Sequence, residues 1–433
     1  MSDLPAGGRS AAAILERARA LAPRLVELRR AVHARPEIGF HESATAALVE
    51  AALRELGARV LTGVGGTGVV GEFGPESGLA IVLRADMDAL PLREESGAPY
   101  ASLVEGMMHA CGHDAHVACL LGAAMLAAED TAAEDTAAED TAAGPGGGAP
   151  RKGAPRLRFL FQPAEETVDE AGKTGAQRMI EDGALEGVAG AISLHVDGSI
   201  PAGKIGVESG YVSGAEDSFH ALIRGRGGHG AHPDETIDPV WIGSQVLAAL
   251  YALPSRKVDP LSPCVLSIGR VQAGEAHNVI PAVFLIEGTI RAADEKTRSI
   301  LESELERCLG IARLMGGDFE LGILRGCPPM RNDERVAALV GGLVDEMLGP
   351  DARSEPRRSL GAEDFAFVTE LVPGMQFRLG AMPKDGRPRL LHSPDFDLDE
   401  DALPLGAALL YAAALRMAES LYHDAPRPPT STS

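Results

Sequence analysis

Five side chains able to bind a metal ion fall within eight consecutive residues: His109, Cys111, His113, Asp114 and His116, in the run HACGHDAH. Thiolate, imidazole and carboxylate are the donors a borderline-soft divalent ion prefers, and Cys111 and His113, two apart, can aim at one point from a turn entering a helix. A polar loop with an N-cap at Asp114 is the plain alternative, and it suits a single histidine better than five such groups together. Glu165 and Glu166 follow directly on the apolar run RLRFLFQP. Adjacent residues leaving a strand point in different directions, so one carboxylate can ligate a metal while the other faces substrate or water. Asp86 ends the run LAIVLRAD, with Asp88 two residues on, and His195 ends VAGAISLH; His392 stands in LLHSPDF. In open α/β sheets ligands bind beyond the carboxyl ends of the strands, where three such runs deliver Asp, Glu and His to one edge.

The elements that must position these groups can be read around them. A helix is expected from Ala11 to about Ala34, where Leu15, Ala18, Leu21, Leu25 and Leu28 recur at helical spacing. Short apolar runs alternating with helix-like segments predict an α/β domain with a mostly parallel central sheet, closed by a helix over DALPLGAALLYAAALRMAESLY. Residues 127–154 hold TAAED pentads and then a Gly/Pro tract. Almost devoid of bulky apolar side chains, this low-complexity insertion is expected to extend the preceding helix into solvent without a packed face. From about Gly206 three strand-like runs and two helix-like runs predict a small inserted α+β domain, with α/β character resuming at DFELGILRGCPP. The expected domains are thus 1–205 with 325–433, and 206–324.

Composition narrows the class. The 433 residues favour two domains, and 40 Lys and Arg against 62 Asp and Glu give a net charge of −22, which disfavours nucleic acid and anionic membrane. Apolar stretches are broken well short of a membrane span, and MSDLPAGGRS does not lead into a signal-peptide core, so no membrane association is expected. Five cysteines without CxxC spacing argue against a disulfide framework and for a reducing, cytoplasmic setting; Cys119, Cys264, Cys308 and Cys327 read as small core residues.

In the inserted domain, GRGGHGAHPDETIDP places His229 and His232 in a glycine-rich loop. Asn278 in HNVIP and Arg291 thirteen residues later form a plausible donor pair for a carboxylate.

Taken in order, RADMDALP, HACGHDAH, FQPAEE, SLHV, GGHGAHPDETIDP, HNVIP and GAEDFAF resemble the metal-dependent amidohydrolase family of aminoacylases, hippurate hydrolases and indole-acetyl-amino acid hydrolases, from about Val32 to Leu421. The resemblance implies a zinc-peptidase-like catalytic domain holding two divalent ions, Mn or Zn with Co or Ni as alternatives, and an inserted lid that dimerises, giving a homodimer or a dimer of dimers. It implies Cys111, His113, Glu166, His195 and His392 as metal ligands, with Cys111 bridging. Glu165 maps to the general base and Asp88 to the residue that orients a ligand. His229 maps to a lid histidine that in relatives reaches the partner's site, and Asn278 and Arg291 to binders of the substrate carboxylate. The implied reaction is hydrolysis of an N-acyl amino acid to a carboxylic acid and a free amino acid by a metal-activated water. Two features depart from the family pattern: the TAAED insertion, and Asp234 where relatives commonly carry His. A dipeptidase or carboxypeptidase of the same clan is the second enzymatic reading. A non-catalytic, metal-stapled binding protein is the third, and Glu165 and Asp88 argue against it, because a structural site needs no free base.

Overall fold

The computed structural model of the chain describes residues 10–142 and 155–424. They form two compact units: one holds the described residues up to Gly210, Asn332–Arg357 and those from Phe367 onward, the other Tyr211–Arg331 and Arg358–Ala366. The second unit therefore starts and ends several residues later than expected and takes in an additional short segment.

The first unit contains the helices α1 (Ala11–Ala20), α2 (Ala22–His33), α3 (Ser43–Glu55), α4 (His113–Ala142), α5 (Gly175–Glu181), α6 (Glu334–Leu348) and α7 (Leu403–Asp424). Its strands are β1 (Arg59–Val64), β2 (Gly68–Phe73), β3 (Ala80–Asp86), β4 (Arg156–Gln162), β5 (Val188–Pro201), β6 (Ile205–Gly206) and β7 (Gly374–Met382), in the spatial order β1-β2-β4-β3-β5-β7-β6. The centre, β4-β3-β5-β7, is parallel, and both flanks are antiparallel. Every residue of β3 is buried, the pattern of a central strand covered on both faces. The single expected N-terminal helix is instead two. Pro23 lacks the N–H that would continue the ladder, and the axis breaks at Leu21. β5 likewise runs past His195 to Pro201, so this histidine lies within a strand and not at its end.

α4 and α7 are apolar almost all round in their packed turns, as helices buried on several sides must be. A Cβ on Gly122 would lie 2.7 Å from the Ala407 Cβ and 2.9 Å from Leu25 Cδ2, so the close approach of these helices depends on the missing side chain. α7 overlaps the one stretch among the described residues, Glu400–Ser420, that is long and apolar enough to cross a membrane, but 89% of its most apolar 18-residue window is buried within the protein. The insertion does continue α4 as far as Ala142, yet its start is anchored: Ala127 is buried, Asp130 accepts a hydrogen bond from Tyr411 Oη at 2.6 Å, and Arg17 pairs with Glu129 and Asp130. The Gly/Pro tract that follows lies outside the described residues.

The second unit is an antiparallel sheet in the order Cys264–Ala273, Val283–Ala292, Ala215–Arg224, Asp318–Arg325, with the helices Pro239–Lys257 and Glu295–Leu309 contributing to its apolar core. Asp238 and Asp294 cap these helices. DFELGILR is the outer strand of this sheet rather than a return to the α/β domain.

Behind α4 lies a buried ionic network. Arg29 Nε donates to Asp114 Oδ2 at 2.6 Å and His33 Nδ1 to the same oxygen at 2.8 Å, while Arg29 also reaches Asp397 and Glu400 ahead of α7. Burial alone would lower the His33 imidazolium, but Asp114 and Glu94 outweigh it and raise its pKa to about 9. A folded-state pKa raised above 6.5 gives stabilisation that is complete below that pH and lost as the pH climbs through 9. The thermal midpoint of the metal-free protein should therefore fall between about pH 7 and 10, and His33→Gln should flatten that alkaline limb. Scanning fluorimetry across this range tests it, and equally steep limbs in both proteins would sink it.

Candidate metal centre

One edge of the first unit's sheet collects the donors. Asp86 ends β3 opposite Gln162, the last residue of β4; Ser193 of β5 pairs with Arg84, so His195 lies two residues further along in the direction of Asp86. Past β4 the chain turns through Pro163 and Ala164 to Glu165 and Glu166. α4 begins at His113, immediately after Gly112, whose φ is +84° and whose absent Cβ would lie 2.3 Å from Val196 Cγ2. Only glycine lets this turn press against β5 while entering the helix. The His392 N–H donates to Ala110 O at 2.8 Å, fixing the loop ahead of α7 beside Cys111.

Two sets of three donor atoms, each set mutually within 4.8 Å, share Cys111: Cys111, His113 and His195 form one, and Cys111, Glu166 and His392 the other. His113, Glu165 and Glu166 form a further such set. Hydrogen bonds decide which nitrogens face inward. His113 Nδ1 is directed at Asp88 O (2.9 Å) and Asp88 Oδ1 (3.1 Å), which leaves its buried Nε2 without a hydrogen-bond partner. His195 Nδ1 donates to Val196 O at 2.8 Å, leaving Nε2 3.5 Å from Cys111 Sγ. His392 Nε2 lies 2.9 Å from Glu166 Oε1. Asp88 Oδ2 accepts from the Glu166 N–H at 2.9 Å, so one carboxylate orients one candidate ligand and the backbone of another.

The electrostatics call for a cation. Burial first, and then the Glu166, Glu165 and Asp86 carboxylates, push the Cys111 thiol well above its ordinary value. Burial opposes protonation of His113, yet Asp86 and Asp88 raise its pKa to about 10. A thiolate surrounded by carboxylates is stable only against a compensating positive charge, and divalent ions supply it. The donor set and the inward-facing Nε2 of His113 therefore fit a pair of divalent ions.

Cys111, His113, Glu165, Glu166, His195, His392 and Asp88 thus come together in the first unit. The other three donor residues of HACGHDAH are engaged elsewhere. His116 Nδ1 donates to Asp86 Oδ1 at 2.6 Å and its Nε2 accepts from the Val196 N–H at 3.0 Å, which occupies both nitrogens. His109 is buried near His33, with ring centroids 6.3 Å apart. Asp114 faces Arg29 and His33. The bracing of His195 through His116 and Asp86 was not foreseen, and the apolar run before Asp86 was its only signal. In the second unit His229 and Asn278 are exposed on paired short strands and their loop, with Gly230 N–H donating to Asn278 O at 2.9 Å. Ala231 N–H donates to His229 Nδ1 at 3.1 Å. Arg291 is already bonded to Glu216 Oε1 at 2.8 Å.

The family described as "Peptidase family M20/M25/M40" matches residues 82–141 and 147–416. The chain is 37% identical to thermostable carboxypeptidase 2 of Saccharolobus solfataricus over 88% of its own length and 92% of that protein's. It is 36% identical to an N-acetyl-L-cysteine deacetylase of Bacillus subtilis, over 92% and 89% respectively. A Bacillus subtilis dinuclear metal binding peptidase from the M20 family superposes with a TM-score of 0.77 at 31% identity, covering 93% of this chain and 99% of that one.

Replacing Asp88 by Ala should weaken metal binding about 10–100-fold while leaving the five donors in place. Replacing Cys111 by Ser should abolish the sulfur-to-metal charge-transfer absorption of the cobalt-loaded protein. Calorimetric metal titration and absorption spectra read these outcomes; an unchanged spectrum in Cys111→Ser would remove the thiolate from the centre.

Proposed function

The chain belongs to peptidase family M20/M25/M40 and is a metal-dependent amidohydrolase, and we propose that it cleaves the amide bond of N-acyl amino acids to a carboxylic acid and a free amino acid. The observation that carries this reading is the pair of donor triads sharing Cys111, with Glu165 beside them. In this reading Cys111, His113, Glu166, His195 and His392 hold two divalent ions, Mn or Zn being favoured by the mixed thiolate, imidazole and carboxylate donors. Such ions, when bound, polarise an amide carbonyl and make water more acidic.

The remaining steps belong to side chains. Glu165 takes the proton of the attacking water and returns it to the departing nitrogen, which would otherwise leave as a high-energy amide anion. Asp88 keeps His113 in the tautomer that presents Nε2 and holds the Glu166 backbone. By motif resemblance, His229 is assigned to the negative charge on the tetrahedral oxygen, and Asn278 and Arg291 to the substrate carboxylate. Glu216 already occupies the Arg291 guanidinium, so a substrate carboxylate there competes with it.

A homodimer is part of the same proposal. In the second unit the edge strand Cys264–Ala273 is paired on one side only, and Val265 and Val271 on it, like Trp241 and Tyr251 on the helix Pro239–Lys257, are exposed. The cytoplasmic setting is likewise proposed, with five cysteines that lack CxxC spacing in support. Cleavage of peptides is the second reading, favoured by the likeness to thermostable carboxypeptidase 2.

Release of free amine from N-acetyl, N-benzoyl and indole-acetyl amino acids, set against dipeptides, separates the two readings. Glu165→Gln should lower kcat by about 10²–10⁴-fold while two equivalents of metal remain bound. Full turnover in that variant at unchanged metal content would overturn the assignment of the base.

A further inference from the structure

Glu42 immediately precedes α3 and is completely buried. Its Oε1 accepts a hydrogen bond from the Ala164 N–H at 2.8 Å, and Thr67 Oγ1 donates to its other oxygen. Burial pushes this carboxyl above its ordinary value, against the pull of those donors. Ala164 has φ +46°, in the left-handed region that a side chain disfavours; among the described residues only Phe40 and His392 are other non-glycines with positive φ. The segment carrying Glu42 is pressed onto the same turn. A Cβ on Gly39 would lie 2.3 Å from Thr167 Cγ2 and 2.9 Å from Ala164 Cβ.

The turn holds Glu165 from both sides. Ahead of it, the Ala164 N–H is bonded to Glu42 and the Ala164 carbonyl accepts from the Gly175 N–H at 2.9 Å. Behind it, the Glu166 N–H donates to Asp88 Oδ2 at 2.9 Å. With both flanking peptide groups fixed, the direction in which the Glu165 side chain leaves the backbone is set. A strained residue persists only where surrounding contacts compel it, and here the only side chain among those bonded to Ala164 is the buried Glu42 carboxylate.

We propose that Glu42 is a positioning residue for Glu165, holding Ala164 in the left-handed conformation that aims the proton-carrying carboxylate. This rests on the reading of Glu165 as the base. Glycine adopts the left-handed region without penalty, so it should lessen the need for Glu42. A Glu42 that merely stabilised the fold would not be bypassed in this way.

The experiment compares kcat, KM, metal content and thermal midpoint for Glu42→Ala, Glu42→Gln, the double variant Glu42→Ala/Ala164→Gly and Glu165→Gln. Glu42→Ala should lose kcat about 10- to 100-fold with KM and two metal equivalents retained. Glu42→Gln keeps an acceptor oxygen and should recover most of the loss, and the double variant should recover at least part of it. If Glu42→Ala does not fold, Glu42→Leu, which refills the volume without an acceptor, takes its place under the same expectations. An undiminished kcat in Glu42→Ala, or a double variant no faster than the single one, overturns the inference while Glu165→Gln still reports on the base. Full turnover in Glu165→Gln overturns both.

Discussion

The Asp88 carboxylate is the point through which the candidate centre is held together. It takes the Nδ1–H of His113 at the start of α4 and the backbone N–H of Glu166 after β4, while itself following β3. Three stretches of chain distant in sequence are thus tied at one buried group, and each bond aims a donor: one by choosing a tautomer, the other by fixing a peptide plane. A neutral acceptor could make the same geometry, but a carboxylate makes charge-assisted bonds and raises the basicity of the imidazole it orients. The cost is one more acidic group beside Cys111, Glu165, Glu166 and Asp86, a crowding of acids that bound divalent cations would relieve. Folding of this edge and occupation by metal are therefore linked energetically.

The first turn of α4 shows how closely spaced polar residues are separated by helix geometry. At ~100° per residue, His113, Asp114 and His116 leave the axis in three directions. His113 turns to the centre, Asp114 to Arg29 and His33, and His116 to Asp86 and the Val196 N–H beside His195. The same eight-residue motif thus provides a candidate ligand, an anchor to the helices behind, and a brace under another candidate ligand. Arg29 extends the anchor to Asp397 and Glu400, so the segment between His392 and α7 is referred to the same helix as His113.

What the sequence revealed, and what it hid, follows from this arrangement. Glu165, Glu166, Asp86 and His195 were legible because apolar runs mark strands and polar residues at their ends must emerge at the sheet edge, even though β5 continues beyond His195. The alternation of runs also disclosed the parallel centre of the sheet, but not its antiparallel flanks, whose short strands carry weak patterns. Pro23 was a visible break in the first helix that apolar spacing alone passes over. DFELGILR has the same composition whichever sheet it joins, and only pairing with Ala215–Arg224 decides. Hydrogen-bond partners from distant segments were not legible at all: nothing local distinguishes His116, with both nitrogens occupied, from His113, with one turned inward. Glu42 is hidden for the same reason, since an isolated glutamate before a helix reads as exposed.

The position of the TAAED pentads agrees with this division of labour. α4 starts at the centre, and Glu129 lies sixteen residues along it, ~24 Å away at the rise of a helix. Over the intervening turns the helix is buried against its neighbours, and at the insertion's threshold Arg17 and Tyr411 still hold Glu129 and Asp130. Additional helix grown from that end moves no residue of the first turn, because the packed turns between fix the register of His113 against β3 and β5. Chain length is free to vary at the end of an element that carries no donor and is constrained at the end that does, which is why the helical part of the insertion, up to Ala142, leaves the register of His113 undisturbed.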